Sequence, residues 1–137
     1  MIVVDTNVVA YLLLPGPLTG AAEAWFEADP DWAAPPLWRS ELRNVLTGYL
    51  RRGTLPLEQV IALQDQAEEL LGAMEIPVTS ERVFELVQRS TCSAYDCEFV
   101  AAALEATAPL ITADRAVLNA FPEISRPLNQ PPPTAQP

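Results

Sequence analysis

The chain has 137 residues, a length suited to one domain of ordinary size, and can bury roughly two-thirds of its unfolded surface without a disulfide or metal staple. Eight cations stand against 18 acids, for a formal net charge of −10, and all eight are arginine, with no lysine and no histidine. Those absences exclude His-based triads, His-ligated zinc, a Walker-A phosphate loop and Schiff-base chemistry. The two cysteines, Cys92 and Cys97, are too few for a Cys₄ zinc site and too poorly spaced for a CxxC pair. An enzyme of this composition must work with Asp, Glu, Arg, Ser, Thr, Tyr or Cys, and carboxylates holding a hard divalent metal are the obvious remaining route.

Ile2-Val3-Val4 is a β-branched run consistent with a buried parallel strand, ending at Asp5. A helical stretch from Asn7 to Leu14 follows and is stopped by Pro15-Gly16-Pro17. Its apolar run, Val8 to Leu14, has seven residues, far short of the ~20 a membrane helix needs. Met1 to Asn7 has no basic start of the kind a signal peptide carries, so a cytoplasmic protein with no membrane association is expected.

Thr19 to Ala28 reads as a helix, and Asp31 to Ala34 as a short strand closed by Pro35-Pro36. Leu37 to Arg52 is a well-marked helix: Trp38, Leu42, Val45, Leu46 and Tyr49 form its apolar stripe, and Gly53 ends it. A further helix starts near Pro56 and carries Leu57, Val60, Ile61, Gln64, Ala67, Leu71 and Met74 along one face. Ile76 to Val78 is extended, and Thr79 or Ser80 caps a helix bearing Val83, Phe84, Leu86 and Val87. Ser93 opens another helix with Phe99, Val100, Ala103 and Leu104 on its apolar side. Leu110 to Thr112 is strand-like, Asp114 precedes a helix to about Ala120, and Ile124 to Arg126 reads as a last strand. The segment 127–137 holds five prolines and is expected to be a disordered tail beyond a domain of residues 1–126.

Alternating strands and helices predict an α/β fold with a mainly parallel sheet, whose ligand crevice lies beyond the carboxyl ends of the strands. Asp5 and Asp114 each follow a strand, while Glu41 and Asp96 lie near helix starts. Each has an ordinary explanation: Asp5 and Asp114 as N-caps, Glu41 as a solvated residue at a positive helix end, Asp96 as the fourth member of the capping box Ser93-Ala94-Tyr95-Asp96. Their joint placement is more informative. Carboxylates converging on one crevice repel and call for a cation, and hard oxygen ligands suit Mg²⁺ or Mn²⁺.

Asp5-Thr6-Asn7, Glu41, Tyr95-Asp96 and Thr112-Ala113-Asp114, in that order, resemble the PIN-domain metal-dependent ribonucleases, and among them the VapC toxins of bacterial toxin–antitoxin pairs. The likeness runs from Met1 to about Arg126. It implies a three-layer α/β/α sandwich and an endoribonuclease with Asp5, Glu41, Asp96 and Asp114 as catalytic and metal-holding acids. Asn7 and Thr112 would either support those acids from behind or position the substrate. It also implies 5′-phosphate and 3′-hydroxyl products, an RNA substrate of the tRNA or rRNA class, a cognate antitoxin and a homodimer. The sequence leaves the number of metal ions open. Arg39, Arg43, Arg52 and Arg115, with Arg51 beside them, are the candidate RNA contacts, because they lie on the Glu41 helix or beside Asp114. Tyr11, Leu12 to Leu14, Trp25 and Phe26 are either partner surface or core. The −10 charge disfavours unaided RNA binding and favours a basic protein partner.

Two related readings stay open: a PIN nuclease serving RNA processing rather than toxicity, and a catalytically degenerate PIN-like binding module. A haloacid-dehalogenase-like phosphatase or a response-regulator receiver also begins with a strand-end Asp, but each needs a lysine the chain lacks.

Overall fold

The computed structural model describes residues 1–130, 132 and 133. Its β-strands are β1 (Ile2–Val4), β2 (Trp32–Ala33), β3 (Leu110–Thr112) and β4 (Ser125–Pro127). Its α-helices are α1 (Thr6–Leu13), α2 (Thr19–Ala28), α3 (Trp38–Arg51), α4 (Leu57–Leu71), α5 (Ser80–Gln88), α6 (Ala94–Ala106) and α7 (Arg115–Ala120). A single 3₁₀ turn, Gly72–Met74, follows α4.

The strands form one sheet in the order β2-β1-β3-β4, every pairing parallel. Val3 pairs with Ala33 on one side and Leu110 on the other, so β1 is central. Every residue of β1 and β3 is buried, which requires cover on both faces of the sheet. The helices supply it as two groups. The first four pack among themselves, with α1 against β3 and α4 against β2; α5 packs on α6, which lies against β1 and β3. The expected α/β/α sandwich with a parallel sheet is the observed architecture.

Chain direction fixes where a ligand crevice must lie. From β1 the chain crosses to β2 on one side, whereas β3 lies on the other side and leads on to β4. The β1–β3 boundary is therefore the switch point of the sheet, and the carboxyl ends of those strands open a crevice there. The residues just beyond those ends are Asp5 and Ala113-Asp114.

Several helix faces differ from the sequence reading. In α5 only Val83 and Leu86 are buried, and Phe84 stands 66% exposed, because its position turns about 100° away from the face on α6. Leu57 and Ile61, expected on the packed face of α4, are also exposed, and burial there falls on Ala67 and Leu71. The extended piece expected at Ile76 to Val78 forms no strand; the residue before it, Glu75, makes one parallel bridge to Ala34, and the Ile76 N–H donates to the Ala34 carbonyl at 3.0 Å. Gly53, at φ 71°, supplies the left-handed residue that ends α3.

The tail boundary moves outward. Pro127 belongs to β4, and Leu128 is buried, its carbonyl accepting the Trp25 indole N–H at 2.9 Å. Position 131 and positions 134–137 of the expected tail lie outside the described residues. That bond assigns Trp25 to the core, and Phe26 packs edge-to-face on buried Trp32 with ring centroids 5.3 Å apart. Both cysteines are buried thiols. No helix among the described residues is long and apolar enough to cross a membrane.

Candidate functional site

At the switch point lies a cavity of about 400 Å³, and Asp5, Glu41, Asp96 and Asp114 all line it, with Asn7, Thr6, Ser40, Asn44, Leu37, Val45 and Tyr95. The four expected acids, from four separate segments, thus meet in one place. Thr112 lies beneath them, fully buried.

Each acid arrives by a different local device. Asp5 continues the ladder, its N–H donating to the Ile111 carbonyl at 3.1 Å. It sits at the N-cap position of α1 in extended backbone, yet its side chain makes no capping bond. Instead Thr112 Oγ1 donates to Asp5 Oδ2 at 2.9 Å. Glu41 lies in the first turn of α3, where Thr6 Oγ1 donates to its Oε1 at 2.7 Å. Asp96 stands in the first turn of α6, its backbone N–H capped by Ser93 Oγ at 3.1 Å. Asp114 is a true N-cap: its Oδ1 accepts the N–H groups of Ala116 and Val117 at 2.8 and 3.3 Å, and its own N–H donates to Thr112 Oγ1 at 3.0 Å. One hydroxyl, that of Thr112, therefore ties two strand-end acids together.

The electrostatics follow from this crowding. Burial, and then the charges of Glu41 and Asp96, push the Asp5 carboxyl up to about 6, against the downward pull of the Thr112 hydroxyl. Burial and Asp96 also raise Glu41, despite its bond from Thr6. The Cys92 thiol is pushed up by burial and by both Asp96 and Asp114. Among the described residues, no arginine or amino terminus lies within 4.0 Å of any of the four acids.

An uncompensated set of hard oxygen donors suits a divalent cation of the Mg²⁺ or Mn²⁺ type. The fit lies in donor chemistry and in the unrelieved charge. As they stand, no three acidic, cysteine or histidine side chains among the described residues form a ready-made metal cage.

Sequence reasoning missed four contributors. Thr6 orients Glu41. Ser40 and Asn44 share the cavity face of α3 with Glu41, a face readable from the spacing of Leu37, Glu41 and Asn44 at i, i+4 and i+7. Glu98, half-buried in α6, has its carboxyl raised by burial and by Glu41, and only the folded chain brings those two acids near each other.

The arginines divide. None of the candidate arginines lines the cavity, and Arg39 is held away from it by ion pairs. It pairs with Glu68 at 2.5 Å and with Glu75, and its guanidinium lies 5.7 Å from the Trp38 ring centroid. Partners 29 and 36 residues away thus hold it against α4 and the segment after it. Arg43, Arg51, Arg52 and Arg115 are exposed and, among the described residues, have no carboxylate partner within 4.0 Å.

Comparison with known proteins agrees with the geometry. The chain is similar in fold to FitAcB from Neisseria gonorrhoeae, with a TM-score of 0.72 and 19% identity over 91% of this chain and 96% of that one. It is similarly related to FitAB bound to an IR36 DNA fragment, with a TM-score of 0.70 and 19% identity over 93% and 95% of the two chains. A toxin–antitoxin complex from Klebsiella pneumoniae gives a TM-score of 0.64 and 21% identity over 88% and 90%. No curated protein matches the chain. The family model of the PIN domain matches residues 2–124, and the chain therefore belongs to the PIN-domain family.

Proposed function

We propose that the chain is a Mg²⁺- or Mn²⁺-dependent endoribonuclease acting as the toxin of a toxin–antitoxin pair. The observation that carries the reading is the convergence of Asp5, Glu41, Asp96 and Asp114 on one cavity at the sheet's switch point, with no cation among the described residues against them. These four acids would hold the metal. Bound there, it supplies Lewis acidity toward a phosphoryl oxygen and lowers the pKa of an attacking water, the chemistry of phosphodiester hydrolysis.

The chain's own residues do the positioning. Thr112 fixes the Asp5 carboxylate, and Thr6 fixes that of Glu41, so neither reorganises when phosphate arrives. The Asp114 cap leaves Oδ2 outside the two N–H bonds of its helix. Asn7, exposed at the cavity wall, offers an amide donor to a phosphate oxygen, and Tyr95 stands at the rim, 63% exposed. Arg43, Arg52 and Arg115 are the cations available to the RNA backbone. The expected products are a 5′-phosphate and a 3′-hydroxyl on a tRNA- or rRNA-class substrate.

A basic antitoxin suits the −10 charge, and the fold-level likeness to toxin–antitoxin complexes supports that partner. Exposed Leu57 and Ile61, one turn apart on α4, offer apolar surface to an antitoxin or a second copy. The reading places the protein in the cytoplasm. The test is RNA cleavage by Asp96→Asn in Mn²⁺ beside a melting curve. Loss of cleavage with an unchanged melting temperature is expected, and undiminished cleavage overturns the site.

A further inference from the structure

A second groove, of about 310 Å³, adjoins the acid cavity and shares Asn7 and Val45 with it; Tyr11, Leu14, Pro17 and Tyr49 form its walls. At its α3 side the Arg52 guanidinium lies over the Tyr49 ring, 4.8 Å from the centroid. It lies back across Gly48, where an added Cβ would come within 3.0 Å of Arg52 Nη1. The missing side chain at Gly48 thus leaves room for the guanidinium on the ring. Among the described residues Arg52 has no carboxylate within 4.0 Å, although the chain carries 18 acids.

We infer that this groove is a nucleotide subsite: an unpaired base next to the scissile phosphate enters it against Tyr49, and the adjoining backbone phosphate meets Arg52. The inference rests on the nuclease reading and adds to it a base subsite built by this chain's own Tyr49 and Arg52. A nucleotide has both parts the groove asks for, a flat ring for the aromatic wall and an anion for the arginine. A basic antitoxin segment would meet Arg52 as a like charge. Continuity through Asn7 and Val45 places such a base one step along the strand from the acids.

The test is steady-state cleavage of a labelled random-sequence pool of single-stranded RNA in Mn²⁺ by the full chain and its Tyr49→Ala, Tyr49→Phe and Gly48→Ala variants. Tyr49→Ala is expected to raise KM about tenfold with kcat within about twofold, and to flatten base preference at one position beside the cut. Tyr49→Phe keeps the ring and behaves as wild type. Gly48→Ala displaces Arg52 and raises KM about threefold, while its melting temperature holds or rises, as alanine in a helix should. Should Tyr49→Ala fold poorly, Gly48→Ala carries the test alone.

Wild-type cleavage with unchanged KM and base preference in Tyr49→Ala and Gly48→Ala overturns the subsite and leaves the nuclease reading standing. A change in Tyr49→Ala confined to sedimentation makes the groove a contact between copies and overturns it as well. A wild type that cuts no RNA overturns the nuclease reading, and the subsite falls with it.

Discussion

The two central strands, β1 and β3, lie side by side, and just beyond each stands an acid at the N-cap position of a helix, yet the two acids are held in opposite ways. Asp114 caps α7 with one carboxylate oxygen and is exposed. Asp5 makes no capping bond to α1; it is half-buried, and its carboxyl is held by a hydroxyl from the neighbouring strand. An N-cap carboxylate is stabilised as an anion by the N–H groups it accepts. Asp5 makes no such cap; burial first, and then the charges of Glu41 and Asp96, outweigh the bonds it accepts, so its charge is unfavourable in the metal-free protein. The same pattern of strand, acid and helix gives one residue whose anion stabilises the fold and one whose anion the fold disfavours.

Three changes break or sharpen that contrast. Thr112→Val has the largest expected effect on stability, because it removes the hydroxyl shared by Asp5 and the Asp114 N–H. RNA cleavage in Mn²⁺ should fall about 10–100-fold, the usual cost of losing a partner that orients a metal ligand. Stability should fall by about 1–2 kcal/mol, measured by urea unfolding.

The second change is in pH. The Asp5 carboxyl titrates at about 6 in the fold, against 3.8 ordinarily. A raised folded value means that its stabilising contribution is fully present below the ordinary value and lost as pH rises through about 6. Metal-free protein should therefore gain on the order of 1–2 kcal/mol between neutral pH and about pH 4, after allowance for solvent screening. Asp5→Asn should remove that part of the slope and melt higher than wild type at neutral pH without metal. Melting curves in EDTA across this range check both.

Asp114 gives the smallest effect on stability. Asp114→Ala should cost about 1 kcal/mol through loss of the α7 cap, whereas Asp114→Asn, which still caps, should be near neutral in stability. Both should lose cleavage. Thermal unfolding separates them, and a stability gain in Asp114→Asn like that of Asp5→Asn would erase the distinction between the two strand ends.

Much of this was legible in the chain. Ile2 to Val4 and Leu110 to Thr112 are apolar runs that only a sheet covered on both faces accommodates, and the acids after them mark the crevice. Local signals also gave the Ser93 and Asp114 caps. What stayed hidden depends on distant partners. Nothing near Asp5 says that Thr112, 107 residues away, holds it in place of a cap. Arg39 resembles a groove cation until α4 and the following segment bring Glu68 and Glu75 to it. Pro127 and Leu128 read as tail because proline argues against strands, yet β4 is an edge strand, where proline is tolerated.

The central claim is tested most directly by following 5′ ends released from total cellular RNA by wild type and Asp5→Asn, each in Mn²⁺ and in EDTA, at neutral pH. Cleavage by wild type in Mn²⁺ alone is expected, with Asp5→Asn lower by about 10³-fold although it melts at least as high in EDTA. Equal cleavage by Asp5→Asn, or wild-type cleavage that persists in EDTA, would contradict a metal-held hydrolytic site at this cavity.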